Sequence, residues 1–236
     1  MKTRVFLITA KTNLHVGNES GGEFTIIDKA IQRDPLTQLP CINSSSLKGA
    51  IKQFCKYNAS GMDLADVFGS DIDEKGKVRP ETQKGSAVFF DAKLLYLPQQ
   101  DNNNLFSYIT SKQVIKAMNE RMRLFVPGFK YKTKPDIDGH IVVVNETNDE
   151  LASRCHNDNL PIIARNVLEN GESKNLWYEQ VLPAETILYT IIQENSDDQG
   201  KKNTLFEALN GQIVQIGAGA TIGYGYCKFE CIYKEE

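Results

Sequence analysis

The sequence predicts an α+β fold that combines short strands with two amphipathic helices. Short apolar or alternating runs recur along the chain, as expected for buried and half-buried strands. Residues 44–56 and 111–124 instead repeat apolar side chains every three or four positions, which is typical of amphipathic helices. The 236 residues fit one elaborated domain spanning 1–236, because α+β domains often exceed the common domain size.

The composition limits the functional class. With 41% hydrophobic and 24% charged residues, the chain lies in the range of soluble globular proteins. The net charge of −3 gives no global attraction to a polyanion, so nucleic-acid binding would require a local basic patch. The apolar run 5–8 is too short for a signal peptide, so we expect a cytoplasmic protein with no membrane partner.

The five cysteines indicate reduced thiols. Their number is odd and none has zinc-ligand spacing. Cys227 and Cys231 lie on one face of a predicted strand about 13 Å apart, which is too far for a disulfide.

The N-terminal part begins with two predicted strands, at residues 2–13 and 24–27. Asp34-Pro35-Leu36-Thr37 follows with the chemistry of a turn. Ser44, Ser45 and Ser46 can then cap the first helix. Its apolar stripe is formed by Leu47, Ile51, Phe54 and Cys55, and an adjoining basic stripe by Lys48, Lys52 and Lys56.

The middle of the chain contains two buried strands and the second helix. Residues 69–85 are almost free of large apolar side chains and predict a solvated, mobile loop. Strands are expected at 87–90 and 94–97, the second ended by Pro98, and a polar loop at 99–104. In the second helix, the side chains expected to face inward are Val114, Ile115, Met118 and Met122.

A basic patch covers residues 112–134. This segment holds seven lysines and arginines against one acid, Glu120, in a chain that is acidic overall. It is the local excess of positive charge that the net charge conceals.

The C-terminal part predicts a hairpin followed by strands around a glycine-rich loop. Asn170-Gly171 marks a hairpin over residues 161–180, with a connection expected to be longer than two residues. Further along we expect strand structure at 177–194 interrupted by Pro183, a polar turn at 195–203, a short helix at 204–210, and strands at 213–216 and 226–233.

The glycine-rich loop 217–225 is a candidate phosphate contact. Its glycines, Gly217, Gly219, Gly223 and Gly225, let backbone N–H groups approach a ligand. It matches neither a Walker loop nor a dinucleotide-binding loop. A tight strand connection that needs positive φ explains the same glycines.

A second candidate phosphate site lies at the start of the first helix. A helix N-terminus offers unpaired N–H groups and partial positive charge, which the serine hydroxyls of Ser44–Ser46 supplement. Gln32, Arg33 and Lys48 add donors and charge. The alternative is an ordinary serine cap with lysines on a solvated face.

Asp28 and His15 are candidates for chemistry. Asp28 ends an apolar run close to Arg33 and could hold a divalent cation or polarise a hydroxyl beside a phosphodiester. His15, at the end of the first strand, could transfer a proton. The alternatives are a turn acid and a packing histidine.

Five ordered blocks resemble the RAMP (repeat-associated mysterious protein) superfamily. They are LHVG (14–17), IIDKAIQRDPLTQLP (26–40), SSSLKGAIK (44–52), LPIIARNVLENGESKNLWYEQVLPAET (160–186) and QIGAGATIGYG (215–225). Among members of this family, the chain looks most like the multi-copy backbone subunit of the type III-B CRISPR Cmr complex.

The resemblance implies a modified ferredoxin-like or RRM core with insertions and a projecting β-hairpin thumb. It implies copies of the chain stacked head to tail on a CRISPR RNA, alongside other Cmr subunits. Complementary target RNA would be cleaved with a divalent metal, Mg or Mn. Asp28 matches the family's metal-dependent catalytic aspartate, His15 a nearby active-site histidine, and Glu179 a further catalytic candidate. The hairpin at 161–180 becomes the thumb candidate.

Two other interpretations remain open. The subunit could be a purely architectural guide-RNA-binding protein whose Asp28 is structural. It could also be a Csm-type paralogue, which would share the fold and chemistry but assemble with other partners.

Overall fold

The protein is built around a mixed β-sheet. The structure is a computed structural model and describes residues 1–17, 27–70, 84–156, 159–194 and 205–235. Its strands are β1 (Lys2–Ala10), β2 (Cys41–Ile42), β3 (Ala87–Phe89), β4 (Ala92–Gln99), β5 (Ser107–Ser111), β6 (Asp136–Ile137), β7 (His140–Asn145), β10 (Ile187–Glu194), β11 (Ile213–Gln215) and β12 (Tyr226–Lys234). β8 (Ile162–Glu169) and β9 (Glu172–Gln180) form a separate two-stranded sheet.

The main path of the large sheet runs in the order β11-β12-β1-β10-β4-β5-β7-β6. β2 pairs with β4 and β3 pairs with β10 beside this path. The pairs are antiparallel except β5 with β7, which is parallel. These observations confirm the predicted α+β class.

The described helices are α1 (Ser44–Asn58), α2 (Leu64–Phe68), α3 (Lys112–Arg123), α4 (Asp149–Cys155) and α5 (Leu205–Leu209). A short 3-10 turn covers Ala220–Ile222. No helix in the described ranges is both long and apolar enough to cross a lipid bilayer.

Helices α1 and α3 cover opposite faces of the sheet. Phe6 of β1 stacks on Phe206 of α5, which in turn contacts α1. The next residue, Leu7, pairs in register with Tyr189 of β10, and Tyr189 lines a pocket with α3. Consecutive strand residues point to opposite faces of a sheet. Helices α1 and α5 therefore lie on one face, and α3 lies on the other. This double cover explains the nearly continuous apolar sequence of β10.

The predicted helices and turn are confirmed with small shifts. In α1 the predicted residues Leu47, Ile51 and Cys55 are buried, and in α3 Val114, Met118 and Met122 are buried. Ser111 caps α3 by accepting a hydrogen bond from the Val114 N–H at 3.1 Å. In the 34–37 turn, the Asp34 carboxylate accepts from the Leu36 and Thr37 N–H groups.

Two local predictions were wrong. β4 continues through Pro98 to Gln99 and pairs with β5, so the proline does not end this strand. The hairpin connection is also shorter than expected, because Asn170 and Gly171 alone join β8 to β9. Both residues have positive φ, 53° and 86°, which is what a two-residue turn of the I′ kind requires.

Other predictions fall partly outside the described residues. These are the strand at 24–27 for residues 24–26, the polar loop at 69–85 for residues 71–83, and the turn at 195–203. β5, β6, β7 and α4 had no predicted counterpart. The five cysteines are free thiols, and burial raises the pKa of Cys155 and of Cys227 to about 12.

Candidate functional site

The segment 27–33 forms the centre of the candidate site. Isolated bridges join Lys29 to Glu179 of β9 and Ile31 to Gly17. A further bridge joins Leu14 to Leu182, just beyond the hairpin. The end of β1, the segment 27–33 and the base of the β8–β9 hairpin therefore meet in one junction.

Asp28 is fixed to the hairpin by two main-chain contacts. Its N–H donates to the Tyr178 carbonyl at 3.1 Å, and its carboxylate Oδ2 accepts from the Tyr178 N–H at 2.7 Å. The side chain is exposed. One carboxylate oxygen is thus held in place by a backbone donor while the group as a whole faces solvent, which suits a residue that must meet a bound ligand.

His15 lies beneath the junction and is only 3% exposed. Its Nδ1 donates to the Gln180 carbonyl at 2.7 Å. A Cβ added to Gly17 would lie 3.1 Å from this Nε2, so the glycine leaves room for the ring. Burial favours the packing role, and proton transfer by His15 stays a prediction.

Glu179 has donors on both carboxylate oxygens. Oε1 accepts from the Trp177 indole N–H at 2.7 Å and from Lys29 Nζ at 3.1 Å. Oε2 accepts from Arg165 Nε at 3.2 Å. Burial alone would raise the pKa of Glu179, but these hydrogen bonds and the Lys29 charge outweigh it and lower the pKa. Glu179 is therefore an ionised anchor, and its predicted catalytic role has no support from this geometry.

The same anchor links the hairpin to the glycine-rich loop. The Arg165 guanidinium lies 4.7 Å from the centroid of the Tyr224 ring, and Lys29 Nζ lies 4.9 Å from the Trp177 ring. The predicted site residues did not include Lys29, Arg165, Trp177 and Tyr224. The register that places Arg165 opposite Trp177 depends on the length of the hairpin turn, which had been overestimated.

Gln32 connects the junction to the start of α1. Its Nε2 donates to Ser46 Oγ at 3.1 Å and to the Gly17 carbonyl at 3.2 Å. Its Oε1 accepts from the Asn43 N–H at 2.8 Å. These bonds support a positioning role, and direct RNA contact by Gln32 remains a prediction.

Arg33 makes its hydrogen bonds within the protein, whereas its predicted role is to contact phosphate. Nη1 donates to the Gln38 carbonyl at 2.8 Å and Nη2 to Gln180 Oε1 at 3.5 Å. Nε is buried and has no partner among the described residues. Burial lowers the pKa of this guanidinium.

The start of α1 does not have the serine cap that the sequence predicts. Asn43 occupies the N-cap position without a side-chain cap bond, and the Ser44 N–H donates to Asp91 Oδ1 at 2.8 Å. A carboxylate at this end competes with an incoming phosphate. Ser45 is exposed, whereas Ser44, Ser46 and Lys48 are half-buried.

The glycine-rich loop packs tightly against the end of β1. All four predicted glycines have φ between +78° and +81°. A Cβ at Gly217 would lie 2.2 Å from the His15 carbonyl oxygen, and one at Gly225 would lie 2.0 Å from the Ile216 carbonyl oxygen. The tight-connection explanation therefore holds at these two positions. Gly223 has nothing within 4 Å and lies exposed on the loop.

Metal-ligating groups are sparse. In the described ranges, no three His, Cys, Asp or Glu side chains cluster closely enough to hold a metal ion. The exposed Asp28 carboxylate offers oxygen ligands to a divalent ion but does not form a complete site by itself. Metal binding by Asp28 stays a prediction.

Comparison with known proteins agrees with this architecture. The chain is 23% identical to the Pyrococcus furiosus protein named CRISPR system Cmr endoribonuclease Cmr4, over 97% of this chain and 95% of the relative. It is 27% identical to the CMR subunit Cmr4 of Saccharolobus solfataricus, over 83% of this chain and 63% of the relative.

Solved structures show the same fold. A chain of the type III-B Cmr-beta complex in its apo state superposes with a TM-score of 0.75 at 22% identity, covering 98% of this chain and 97% of the other. Oligomeric Cmr4 from Pyrococcus furiosus gives 0.68 at 18% identity, covering 100% and 99%. Residues 7–228 match the family model of the RAMP superfamily, and the chain therefore belongs to the RAMP superfamily.

Proposed function

We propose that this chain is a guide-RNA-binding backbone subunit of a type III-B CRISPR effector complex, and that it supplies a carboxylate for cleavage of guide-complementary target RNA. The observation that carries the proposal is the exposed Asp28 carboxylate, oriented by the Tyr178 backbone at the base of a projecting hairpin. The relative named an endoribonuclease supports it, as does similarity to a Cmr-beta complex bound to cognate target RNA.

The hairpin is the proposed thumb. It forms a two-stranded sheet of its own, and Val167, Leu168 and Leu176 are exposed on it. The Glu179 anchor would hold the thumb base in a fixed position relative to Asp28. A target strand distorted beside the thumb would thus meet the carboxylate in a defined geometry.

The proposed cofactor is a divalent cation, Mg or Mn, held by Asp28 together with RNA oxygens. Such an ion stabilises charge that develops on a reacting phosphodiester. Asp28 would orient the ion or the attacking hydroxyl, and the buried Nδ1–Gln180 bond of His15 would keep the floor of the site rigid.

The proposed partners are CRISPR RNA, complementary target RNA, copies of this chain stacked head to tail, and other Cmr subunits in the cytoplasm. Head-to-tail stacking would require a heterologous interface that does not close on itself. A similar chain has been solved in oligomeric form.

An architectural subunit without catalysis is the second candidate. It is supported by the small number of available catalytic groups. Glu179 already accepts hydrogen bonds from three donors, and His15 is buried. Only the Asp28 carboxylate faces solvent among these three predicted catalytic residues. The Asp28 variants described in the Discussion separate the two candidates.

RNA binding should be driven by phosphate contacts and insensitive to sequence. We expect the full chain to bind single-stranded RNAs of unrelated sequence alike, with log K falling by about 0.7 per neutralised phosphate for each unit of log salt. Lys48→Ala should weaken binding to all of them equally and reduce this slope by roughly one contact. Fluorescence anisotropy at several salt concentrations measures both quantities.

Lys2→Ala is the matched control, because Lys2 is exposed and lies at the start of β1 rather than on α1. It should bind RNA as the unmodified chain does. An affinity that does not change with salt, or a Lys48→Ala effect confined to one sequence, would contradict the proposed mode of binding.

A further inference from the structure

Three lysines form a regular row between α3 and β6. Lys130, Lys132 and Lys134 are all exposed, whereas the intervening Tyr131 and Thr133 are half-buried. This alternation is that of an extended chain, in which every second side chain points the same way about 6.6 Å apart. The row is thus a line of ammonium groups on one surface.

The segment carrying the row is fixed to the protein. Asn119 of α3 donates to the Tyr131 carbonyl at 3.2 Å and accepts from the Tyr131 N–H at 2.6 Å. The Tyr131 hydroxyl lies 3.1 Å from that of Tyr96 in β4. Phe129 packs edge-on against Tyr233 at 5.8 Å. These contacts hold the backbone between the lysines in place, so binding a ligand would not require the segment to be ordered first.

The charge of the row is not neutralised locally. Among the described residues, none of the three lysines forms an ion pair. By contrast, Lys112 in the same basic patch pairs with Glu146 at 2.6 Å, and Lys116 with Glu120 at 3.8 Å. Two lysines in the first half of the patch are therefore paired, whereas the three lysines of the row are not.

The row also lies on the other side of the sheet from Lys48. It is anchored to α3, which covers the sheet face opposite α1. Lys48 lies on α1. An RNA strand held only at the α1 start and the glycine-rich loop would leave the row without a ligand.

We propose that Lys130, Lys132 and Lys134 form a second RNA-binding surface that takes the phosphodiester backbone of a single strand. A rigid line of cations tracks a polyanion without reading its bases. The inference rests on the proposed function for the presence of RNA. Guide and target share the chemistry that this surface recognises, and the experiment below distinguishes them.

The test replaces all three lysines with glutamine in the full chain. RNA affinity should fall at least about tenfold at low salt, and the slope of log K against log salt should decrease by about 2, for three contacts at about 0.7 each. The control replaces Lys2, Lys11 and Lys84 with glutamine, which removes the same charge from exposed positions on other segments. This control should change the slope by much less, and thermal melting should show that both variants fold.

A cross-linking arm identifies the strand. In the reconstituted complex, photoreactive phosphates are placed in either the guide or the target, and the cross-linked peptides are mapped. Cross-links to residues 129–134 from either strand support the proposal and name the strand. If both triple variants bind RNA equally, or the row variant loses only association with a protein subunit, the RNA assignment is overturned.

The same measurements distinguish failure of the second RNA-binding surface from failure of the proposed function. If the unmodified chain binds RNA and Lys48→Ala weakens it while the row variant does not, the second surface fails and the proposed function stands. If the unmodified chain binds no RNA in isolation or in the complex, both fail together.

Discussion

Asp28→Ala should leave guide and target binding intact in the reconstituted complex while cleavage of the target falls by about 10³-fold or more. At about 1.36 kcal/mol per tenfold, this is roughly 4 kcal/mol of lost transition-state stabilisation. The substitution removes the exposed carboxylate that would hold a metal ion or activate a hydroxyl. It removes no cation that contacts phosphate, so binding and cleavage should separate.

Asp28→Asn removes the negative charge but keeps a side-chain oxygen. An asparagine oxygen can still accept from the Tyr178 N–H, so the junction should keep its geometry, whereas alanine loses this acceptor. We expect both variants to lose cleavage to a similar extent and Asp28→Asn to retain the melting temperature better. Single-turnover cleavage and thermal melting measure the two effects.

Three comparisons make the result specific. Glu120→Ala removes one exposed carboxylate on α3, outside the junction, and should cut at the original rate. A chelator should reproduce the loss in the unmodified complex, and added Mg²⁺ or Mn²⁺ should restore activity. His15→Ala should cost less than Asp28→Ala. If the Asp28→Ala complex cuts bound target at the original rate, the catalytic assignment is wrong and the architectural role replaces it.

The sequence was sufficient for the elements whose signals are local. The apolar stripes of α1 and α3 and the Asp34 turn depend on residues a few positions apart, and each is confirmed. β5 and β7 were missed because they are defined by parallel pairing across about 35 residues, which leaves no local signature. Pro98 was misread because its missing N–H is compatible with this part of β4.

At the site, residue types in the sequence indicated which donors and charges were available but not which of them the fold pairs internally. Gln32 and Arg33 carry the donors expected for phosphate, yet their hydrogen bonds join distant segments of the same chain. Glu179 was a catalytic candidate because of the family resemblance, but only the hairpin register shows Arg165 beside it. A residue type indicates what chemistry is available, whereas the partners brought by the fold decide whether that chemistry is already committed.

The second large effect concerns Gly217, which fixes the glycine-rich loop against the end of β1. Alanine at this position would have a positive φ of 79°, which costs about 1–2 kcal/mol. Its Cβ would also lie only 2.2 Å from the His15 carbonyl oxygen, and moving the two atoms apart costs about 1–3 kcal/mol more. The movement also strains the 2.9 Å bond from the Ala218 N–H to that oxygen.

Gly223→Ala is the matched control, because Gly223 has nearly the same φ of 81° and nothing within 4 Å of its Cβ position. We expect Gly217→Ala to destabilise the fold by roughly 3 kcal/mol, or about 6–12 °C in Tm, and Gly223→Ala by about 1 kcal/mol, or about 2–4 °C. Cleavage below the melting temperature should fall about 100-fold for Gly217→Ala, since His15 lies under Asp28's junction and small displacements there misalign the site. Equal melting temperatures and equal cleavage rates for the two variants would show that positive φ, rather than contact with His15, is what the loop requires of Gly217.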